Sequence, residues 1–304
     1  MKTLHALQFF LLLAFSAGAE TFRVATYNLE NYLDATTDSR PKIKSVAAKQ
    51  KIRESIIAIN PDVLALEEIG TTNALLELRD SLKDEGCDFP FWEHVNGHDP
   101  DIHVAVLSKR PIVARHPHTE EIFLLDGKRF RVSRGFAEVE IQVATNFNFT
   151  LIAAHLKSRR PVPQADESDL RLQEAKVLRG IIDKKLADNP AARLVVLGDF
   201  NDLKNSEPVK TLIGRGKTKL TDTRPAERNG DNTPNENPRY EPRNITWTHY
   251  YGVEDSYRRI DYILLSQAMT AHWLKAETYI ATQTNWSLGS DHRPITAAFE
   301  IKAD

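Results

Sequence analysis

Residues 194–202 combine a buried strand with polar groups that could do chemistry. Four apolar residues precede a glycine, which is typical of a strand buried on both faces. Asp199 and Asn201 follow at the strand end, two residues apart, so both side chains project from one rigid point. The carboxylate can take or give a proton, whereas the carboxamide can only hold a ligand. The alternative is an ordinary turn, because Gly, Asp and Asn all favour turns.

Several other predicted strands also end in polar residues, which favours the functional interpretation. A lone strand-end histidine is more often structural than catalytic, so the inference depends on the whole set. If the set converges, it offers carboxylates for a hard cation and a histidine beside a carboxylate for acid-base chemistry. The strand-end groups are Asn28, Glu68, His155, Asp199, Asn201, Asp291 and His292, with Asp261 inside a strand.

The residue types in this set predict the kind of metal. Oxygen donors without cysteine or paired histidine spacing suit Mg²⁺, Mn²⁺ or Ca²⁺ better than zinc. Glu67 and Glu68 are adjacent, and adjacent strand residues point opposite ways, so at most one of them shares the face of Val63 and Ala65. A buried carboxylate is costly unless it is paired or binds a metal.

Two groups of basic residues flank the strand predicted over 147–154. Each group could be a solvated face, but together they provide cations where a phosphate could sit. The groups are Arg129, Arg131 and Arg134 before the strand, and Lys157, Arg159 and Arg160 after it.

The elements that must position these groups alternate between strands and helices. Apolar spacing predicts helices over 41–60, 73–83, 168–186 and 208–213. Alternating or apolar runs predict strands over 22–28, 63–66, 102–108, 194–197, 259–265 and 295–301, and an antiparallel meander over 121–125, 130–133, 136–143 and 147–154. Residues 222–243 are predicted to form a long polar loop. Trp247, Tyr250 and Tyr251, which follow it, could belong to the core or form a stacking surface.

Composition indicates a globular protein and limits how it could hold nucleic acid. The 304 residues are 41% hydrophobic and 27% charged, enough for a sizeable core without disulfides. Cys87 is the only cysteine and is interpreted as a structural thiol. The formal net charge is −2, so any phosphate binding must come from local clusters and not from bulk charge.

The first 19 residues are predicted to be a secretory signal peptide. Lys2 gives a positive start, an apolar run follows over residues 6–15, and Ala17-Gly18-Ala19 forms a small-residue cleavage site. The run is about half of the ~20 residues that a membrane helix needs. The predicted organisation is a signal peptide over 1–19 and one domain over 20–304, secreted or periplasmic, with a net charge of −3 once Lys2 is removed.

The order of the motifs resembles the endonuclease/exonuclease/phosphatase superfamily, which includes DNase I, exonuclease III, neutral sphingomyelinases and inositol polyphosphate 5-phosphatases. The chain looks like a secreted bacterial-type member. The resemblance is carried by residues 26–31, 66–69, 134–135, 154–158, 198–201, 259–262 and 290–294. It implies a DNase I-like four-layered α/β sandwich, with two mostly antiparallel sheets packed face to face and helices outside.

The resemblance also implies roles for individual residues. Glu68 binds the divalent metal with support from Asn28 and Asp291, and Glu67, where many members have Gln, supports it from behind. Asp261 pairs with His292, and either Asp199 or His292 is the general base. The remaining implied roles are phosphate contacts by Asn201, Arg134 and Lys157, phosphate contact or leaving-group assistance by His155, and a metal-side position for Glu30.

The expected reaction is metal-dependent hydrolysis of a phosphoester, most readily of a nucleic acid by a secreted nuclease. Superfamily resemblance alone does not choose the ester, because one scaffold carries many substrates. The alternatives are a phosphodiesterase or phosphatase for a lipid or sugar phosphate, and an inactive binding module. No obligate protein partner is predicted.

Overall fold

The structure is a computed structural model that describes residues 20–228, 236–237, 239–240 and 244–301. The predicted signal peptide and part of the polar loop predicted over 222–243 lie outside the described residues. Within the described chain, no helix is both long and apolar enough to cross a membrane.

The described residues form strands and helices that alternate along much of the chain. In chain order the strands are β1 (Glu20–Tyr32), β2 (Val63–Ile69), β3 (Phe91–Val95), β4 (His103–Ser108), β5 (Ile112–Arg115), β6 (Ile122–Leu125), β7 (Lys128–Arg131), β8 (Phe136–Ala144), β9 (Phe147–Ala154), β10 (Leu194–Asp199), β11 (Thr221–Asp222), β12 (Ala226–Glu227), β13 (His249–Tyr251), β14 (Ser256–Arg258), β15 (Asp261–Leu265), β16 (Trp273–Ile280) and β17 (Ile295–Ile301). The helices are α1 (Val46–Ile59), α2 (Thr72–Asp84), α3 (Glu167–Asp188), α4 (Glu207–Ile213) and α5 (Gln267–Thr270), with 3₁₀ turns at Gly216–Thr218 and Trp286–Leu288.

Two large sheets carry the fold. The first has the order β12-β16-β17-β1-β2-β4-β3 and the second the order β11-β15-β10-β9-β8-β5. Most neighbouring strands are antiparallel; β1 with β2, β12 with β16 and β9 with β10 are the parallel pairs among the described strands.

Alternation along the strands explains how the sheets pack. In β10, Val195 and Leu197 face the core between the sheets, while Leu194 and Val196 face α3 and α4 on the outside. On the outer face of the first sheet, a separate cluster joins β1, β2 and β4 to α1 and α2 and includes the buried Cys87. These are four layers, so the predicted α/β sandwich is confirmed.

Helix ends follow local capping. The helix predicted over 41–60 begins later, at Val46, because the Ser45 side chain caps it by accepting a hydrogen bond from the Ala48 amide. It ends before Asn60, which is left-handed with φ 43°. Helix α3 begins after Asp166, which accepts hydrogen bonds from the Ser168 and Asp169 amides.

The predicted four-strand meander is wrong. Strands β8 and β9 are antiparallel neighbours in the second sheet, but β6 and β7 form a separate hairpin. This hairpin turns its apolar face, including Phe123, onto α3 instead of joining the sheet. Seven strands were not predicted from the sequence, namely β3, β5, β11, β12, β13, β14 and β16, and β12 lies in the stretch predicted to be a loop. All of them except β16 are five residues long or shorter, and the pairing of β16 is irregular.

Candidate active site

The central acidic pair is built by strand register. Asp199 is the last residue of β10 and lies opposite Asp261, the first residue of β15. Asp261 therefore begins its strand, whereas the sequence pattern predicted it inside the apolar run. Gly198 has φ +130°, and a Cβ there would lie 2.0 Å from the Ala154 oxygen, so only glycine lets β10 approach the end of β9.

Asp261 and His292 form a buried dyad. His292 Nδ1 lies 2.9 Å from one Asp261 oxygen and 3.1 Å from the other. The Thr248 hydroxyl donates to Asp261 at 2.5 Å and accepts from the Asp261 amide at 3.3 Å. Burial lowers the pKa of His292, but the charges of Asp261 and Asp199 outweigh it and raise the pKa well above its usual range. The dyad therefore orients the ring and stabilises its protonated form.

Asp199 lies between two imidazole rings. One of its oxygens is 3.7 Å from His292 Nε2 and 3.6 Å from His155 Nε2. The same oxygen accepts hydrogen bonds from the side-chain amides of Asn28 at 3.0 Å and Asn201 at 3.2 Å. Burial raises the pKa of Asp199 to about 7, while the charge of His292 opposes the rise. A carboxylate with such a pKa can exchange a proton near neutral pH.

Glu67 and Glu68 both approach this region, by different routes. Glu67 follows the alternation of β2, lies fully buried between the sheets, and accepts a hydrogen bond from the Thr26 hydroxyl at 2.7 Å. At Glu68 the alternation is interrupted, because the pairing with β4 shifts and Glu68 has φ +59°. Its carboxylate consequently turns to the strand ends, where it accepts from the Asn31 amide at 3.0 Å.

The residues with metal-ligand chemistry cluster beside Glu68. The Asn28 side-chain amide contacts Glu68 at 3.5 Å, and its oxygen accepts from the Glu30 amide at 2.9 Å. Burial and the charge of Asp291 raise the pKa of Glu30, and Glu68 adds to the rise. His249 Nε2 lies 3.5 Å from Asp291 and, with His292, lowers the pKa of that carboxyl against the effect of burial.

These groups fit a hard divalent cation. Burial raises the pKa of Glu67 well above its usual range, and the charges of Asp261 and Asp199 add to the rise. Oxygen donors of this kind suit Mg²⁺, Mn²⁺ or Ca²⁺. Among the described residues, two sets of histidine and aspartate have ligand atoms within 4.8 Å of one another, and Glu68 belongs to neither; they are His249, Asp291 and His292, and Asp199, Asp261 and His292. The assignment of Asn28, Glu68 and Asp291 as ligands stays a prediction.

His155 is buried without a partner for its ring. It follows β9 directly and is 1% exposed, yet neither ring nitrogen has a hydrogen-bond partner within the described part of the chain. Burial and the charge of Arg134 lower the pKa of His155 well below its usual range, which favours the neutral ring. A neutral ring carries one N–H donor and one acceptor, both of which a ligand could satisfy.

The predicted phosphate-binding residues lie close to His155 but also hold protein groups. Asn201, with φ 54°, donates to the Leu156 carbonyl at 3.1 Å, and the Arg134 guanidinium donates to the same carbonyl at 3.3 Å. The Lys157 ammonium donates to the carbonyls of Ser158 and Arg160. Phosphate binding by these three residues stays a prediction.

The remaining predicted cations do not all join the site. Arg129 and Arg131 are exposed on the β6–β7 hairpin, where Arg131 pairs with Glu120 at 2.8 Å, so they form the solvated face that was the alternative. Arg159 lies nearer, donating to the Asn201 carbonyl at 3.2 Å and to Asp202 at 2.9 Å.

Sequence reasoning missed three residues that orient the dyad and its neighbours. Thr248 directly precedes β13 and His249 is its first residue, and the His249 ring centroid is 4.6 Å from that of His292. The Ser290 hydroxyl donates to the Asn28 carbonyl at 2.8 Å and accepts from the His292 amide at 3.0 Å. Ser290 stood inside a recognised motif, whereas nothing in the local sequence distinguishes Thr248.

A separate cavity lies elsewhere in the structure and is not lined by these acidic and imidazole side chains. It measures about 780 Å³ and lies on the outer face of the second sheet, between Glu138 and Glu140 of β8 and Lys184 and Lys185 of α3. The convergence of acidic and imidazole groups, and not cavity size, therefore locates the candidate active site.

The fold and the site together define a DNase I-like α/β sandwich with acidic and imidazole groups at the strand ends. The sequence model of the Endonuclease/Exonuclease/phosphatase family matches residues 25–292, and the chain belongs to this family. Members are metal-dependent phosphoester hydrolases. No curated protein matches the chain.

Solved structures with the same fold are distant in sequence. Sphingomyelinase C from Streptomyces griseocarneus is 18% identical, with a TM-score of 0.62 over 92% of this chain and 99% of that one. The 3′ phosphatase NExo from Neisseria, bound to a product DNA hairpin, is 16% identical, with a TM-score of 0.58 over 91% and 99%. The human Nocturnin catalytic domain with a bound sulfate anion is 14% identical, with a TM-score of 0.60 over 92% and 97%.

Proposed function

We propose that this protein is a secreted nuclease that hydrolyses phosphodiester bonds of DNA or RNA with a divalent metal ion. The observation that carries the proposal is the position of the Asp199 carboxylate, 3.7 Å from His292 Nε2 and 3.6 Å from His155 Nε2. A carboxylate between two imidazoles can activate water on one side while a neutral donor faces the substrate on the other.

Proton transfer belongs to Asp199 and His292 as a pair. Their charges strongly affect each other, so protons leave and enter the pair as a unit. Asp261 holds His292 Nδ1, which directs Nε2 toward Asp199 and the attacking water. The Thr248 hydroxyl keeps the Asp261 carboxylate in register with the ring.

Glu68, Asn28 and Asp291 would hold the metal ion, with Glu30 nearby. Mg²⁺, Mn²⁺ or Ca²⁺, when bound, neutralises the charge that develops on the phosphate. Asn28 also donates to Asp199 at 3.0 Å, so it links the metal side to the proton-transfer pair.

His155 and Asn201 face the phosphate and the leaving group in this proposal. His155 is neutral and its ring nitrogens have no hydrogen-bond partner among the described residues, so its N–H can donate to a phosphate oxygen or to the departing oxygen. Arg134 and Lys157 beside it would add positive charge on the same side.

Three observations support a nucleic acid as the substrate. Arg159 and Lys157 lie next to Asn201 and His155, and the related Neisseria phosphatase is bound to a product DNA hairpin. Tyr251 and Tyr257 are 40% and 56% exposed on the β13–β14 hairpin, near His249, and could stack on bases. Trp247 is half-buried, and the Arg293 guanidinium carbon lies 3.2 Å from its ring centroid.

A lipid phosphodiester is a second candidate, favoured by one specific observation. The tip of the β13–β14 hairpin exposes Val253 at 82%, and Leu288 on the neighbouring 3₁₀ turn is 51% exposed. Exposed apolar side chains beside an active site are typical of a membrane-contacting surface. The related Streptomyces sphingomyelinase C makes this comparison concrete.

Secretion is proposed from the sequence of residues 1–19. N-terminal sequencing of the protein from its producing cells should find Glu20 as the first residue, outside the cytoplasm. An intact Met1 or a cytoplasmic protein would contradict this part of the proposal.

The substrate is tested with a parallel panel. The purified protein is assayed on plasmid DNA, RNA, sphingomyelin vesicles and phosphoinositides with each of the three metals. His292→Ala should abolish turnover, and His116→Ala, an exposed histidine away from the site, should retain it. Turnover of lipid alone would support the second candidate, and no turnover of anything would support an inactive binding module.

A further inference from the structure

One arginine close to the candidate active site has no carboxylate partner within the described chain. Arg40 lies in the loop between β1 and α1, outside every motif that carried the family resemblance. Its Nη1 donates to the side-chain oxygen of Asn31, which is a neutral group. Its Nε is buried without an acceptor among the described residues. The positive charge of Arg40 is therefore held by the protein without a negative charge beside it.

Five other arginines near the site differ from Arg40, because each pairs with a carboxylate. The pairs are Arg134 with Asp99, Arg159 with Asp202, Arg171 with Asp202, Arg259 with Asp222 and Arg293 with Glu227. A guanidinium that keeps its charge and a free N–H beside an active site is suited to an anionic ligand.

A short series of contacts connects Arg40 to the reactive groups. Asn31, which accepts a hydrogen bond from Arg40, donates its own backbone amide to one oxygen of Glu68 at 3.0 Å. The other Glu68 oxygen lies 3.9 Å from His155 Nε2. Burial is the main cause of the low pKa of His155, and the charge of Arg40 contributes to it. Arg40 therefore lies on the same side of the site as the His155 ring, whose nitrogens also lack a hydrogen-bond partner within the described chain.

The loop holds Arg40 in a fixed position. The Thr37 amide donates to the Arg40 carbonyl at 3.0 Å, and the Arg40 amide donates to the Thr37 carbonyl at 3.1 Å. The Ser39 hydroxyl donates to Asp101, and Pro41 disfavours a helical backbone at Arg40. A side chain that is positioned in advance loses less conformational entropy when a ligand binds.

We propose that Arg40 binds the phosphate that is cleaved, through the edge of its guanidinium formed by Nε and Nη2. This role rests on the proposed hydrolysis of a phosphodiester. Because Nη1 is bound to Asn31, the Nε and Nη2 edge is the one left for a ligand, and two parallel N–H groups match two phosphate oxygens. His155 would donate to the same phosphate. Arg40 would then offset part of the negative charge that develops during hydrolysis.

The test compares Arg40→Ala and Arg40→Lys on a DNA oligonucleotide and on bis(p-nitrophenyl) phosphate, whose single phosphate is the one that is cleaved. Arg131→Ala, which removes an exposed arginine paired with Glu120, is the matched control. We expect Arg40→Ala to lose about 10–100-fold in kcat/KM on both substrates, and the control to lose nothing. Arg40→Lys should recover only part of the loss, since an ammonium cannot bind two oxygens in parallel. Added guanidinium ion should partly restore Arg40→Ala.

Thermal melts and sulfate binding separate the possible outcomes. Sulfate is titrated calorimetrically with Mg²⁺ present, and we expect it to bind more weakly to Arg40→Ala than to Arg131→Ala. No loss of rate, a loss confined to the oligonucleotide, or a lower melting temperature without rescue by guanidinium would overturn the role of Arg40. A wild-type protein that hydrolyses neither substrate would overturn the proposed function. In that case, sulfate binding that depends on Arg40 would still support an anion site here.

Discussion

Two clusters of histidine and carboxylate residues in this protein differ in whether the histidine ring has hydrogen-bond partners. In the His118 cluster, defined as His118, Glu121, Glu138 and Lys185, every charged group has a partner: the two ring nitrogens lie 3.1 and 2.9 Å from Glu121 and Glu138, and Lys185 pairs with Glu138 at 2.7 Å. In the candidate active site, His155 is more deeply buried, and neither ring nitrogen has a hydrogen-bond partner within the described chain, although Nε2 lies 3.6 Å from Asp199.

The difference separates a stabilising cluster from a reactive one. A buried polar group without a partner costs free energy of folding, typically about 1–3 kcal/mol. Such a group persists where a ligand satisfies it during function. We therefore expect substitutions in the His118 cluster to lower stability and substitutions at the active site to lower activity.

Replacing His292 should produce the largest effect. His292→Ala removes one member of the proton-transfer pair, and we expect kcat/KM to fall by about 10²–10⁴-fold. Steady-state hydrolysis measures the rate, and a thermal melt checks the fold. A variant with wild-type kcat/KM would remove the distinction between the two clusters.

Replacing His155 should give a smaller loss of rate. His155→Ala removes the neutral donor that we propose faces the phosphate, and we expect a loss of roughly 10²–10³-fold in kcat. Since no protein hydrogen bond to the His155 ring is found among the described residues, denaturant unfolding should change less than for His118→Ala. A stability loss with full activity would make His155 structural.

Replacing His118 should give the reverse pattern. His118→Ala leaves Glu138, a buried carboxylate of β8, with Lys185 alone, and we expect a loss of about 1–3 kcal/mol in the free energy of unfolding. Urea denaturation measures it, and kcat/KM should stay at the wild-type value. A reduced rate in a correctly folded variant would mean that the cluster communicates with the active site.

The smallest expected effect is a pH dependence of stability. The hydrogen bond with Glu138 raises the pKa of His118 despite partial burial. The stability that protonated His118 contributes is therefore fully present below the unfolded-state pKa of about 6.5. It is lost as pH rises through the higher pKa of the folded state. Because Glu121 is 37% exposed, solvent screening limits the change to under about 1 kcal/mol.

The measurement is the stability difference between wild type and His118→Gln at pH 6 and pH 9. We expect the difference to shrink at the higher pH. A difference that grows with pH would contradict the ion-pair interpretation.

The sequence predicted those parts of the site that follow local rules. The position of Asp199 was predictable because a buried apolar run must end, and the polar residues that follow it lie at the edge of the sheet. The pairing of Asp261 with His292 followed from family resemblance, since the two residues are 31 positions apart and no local pattern connects them. The four layers were predicted only through the family resemblance, because hydrophobic periodicity indicates individual helices and strands but not how the sheets pack.

The rest depends on tertiary geometry. Strand alternation allowed at most one of Glu67 and Glu68 on the face of Val63, and Glu67 lies on that face. The irregular backbone at Glu68 was not predictable from alternation, and it turns the Glu68 carboxylate toward the strand ends. Thr248 reaches Asp261 only because its segment crosses the end of β15. The β6–β7 hairpin was assigned to the sheet because alternation does not specify which surface an apolar face will meet.

Metal dependence tests the central claim most directly. The purified protein and the Glu68→Gln variant are treated with EDTA, then assayed on plasmid DNA and bis(p-nitrophenyl) phosphate while Mg²⁺, Mn²⁺ or Ca²⁺ is added back. We expect no hydrolysis in EDTA, recovery of the wild type with metal, and little recovery of Glu68→Gln at the same metal concentration. Full activity of the wild type in EDTA would contradict the proposed reaction.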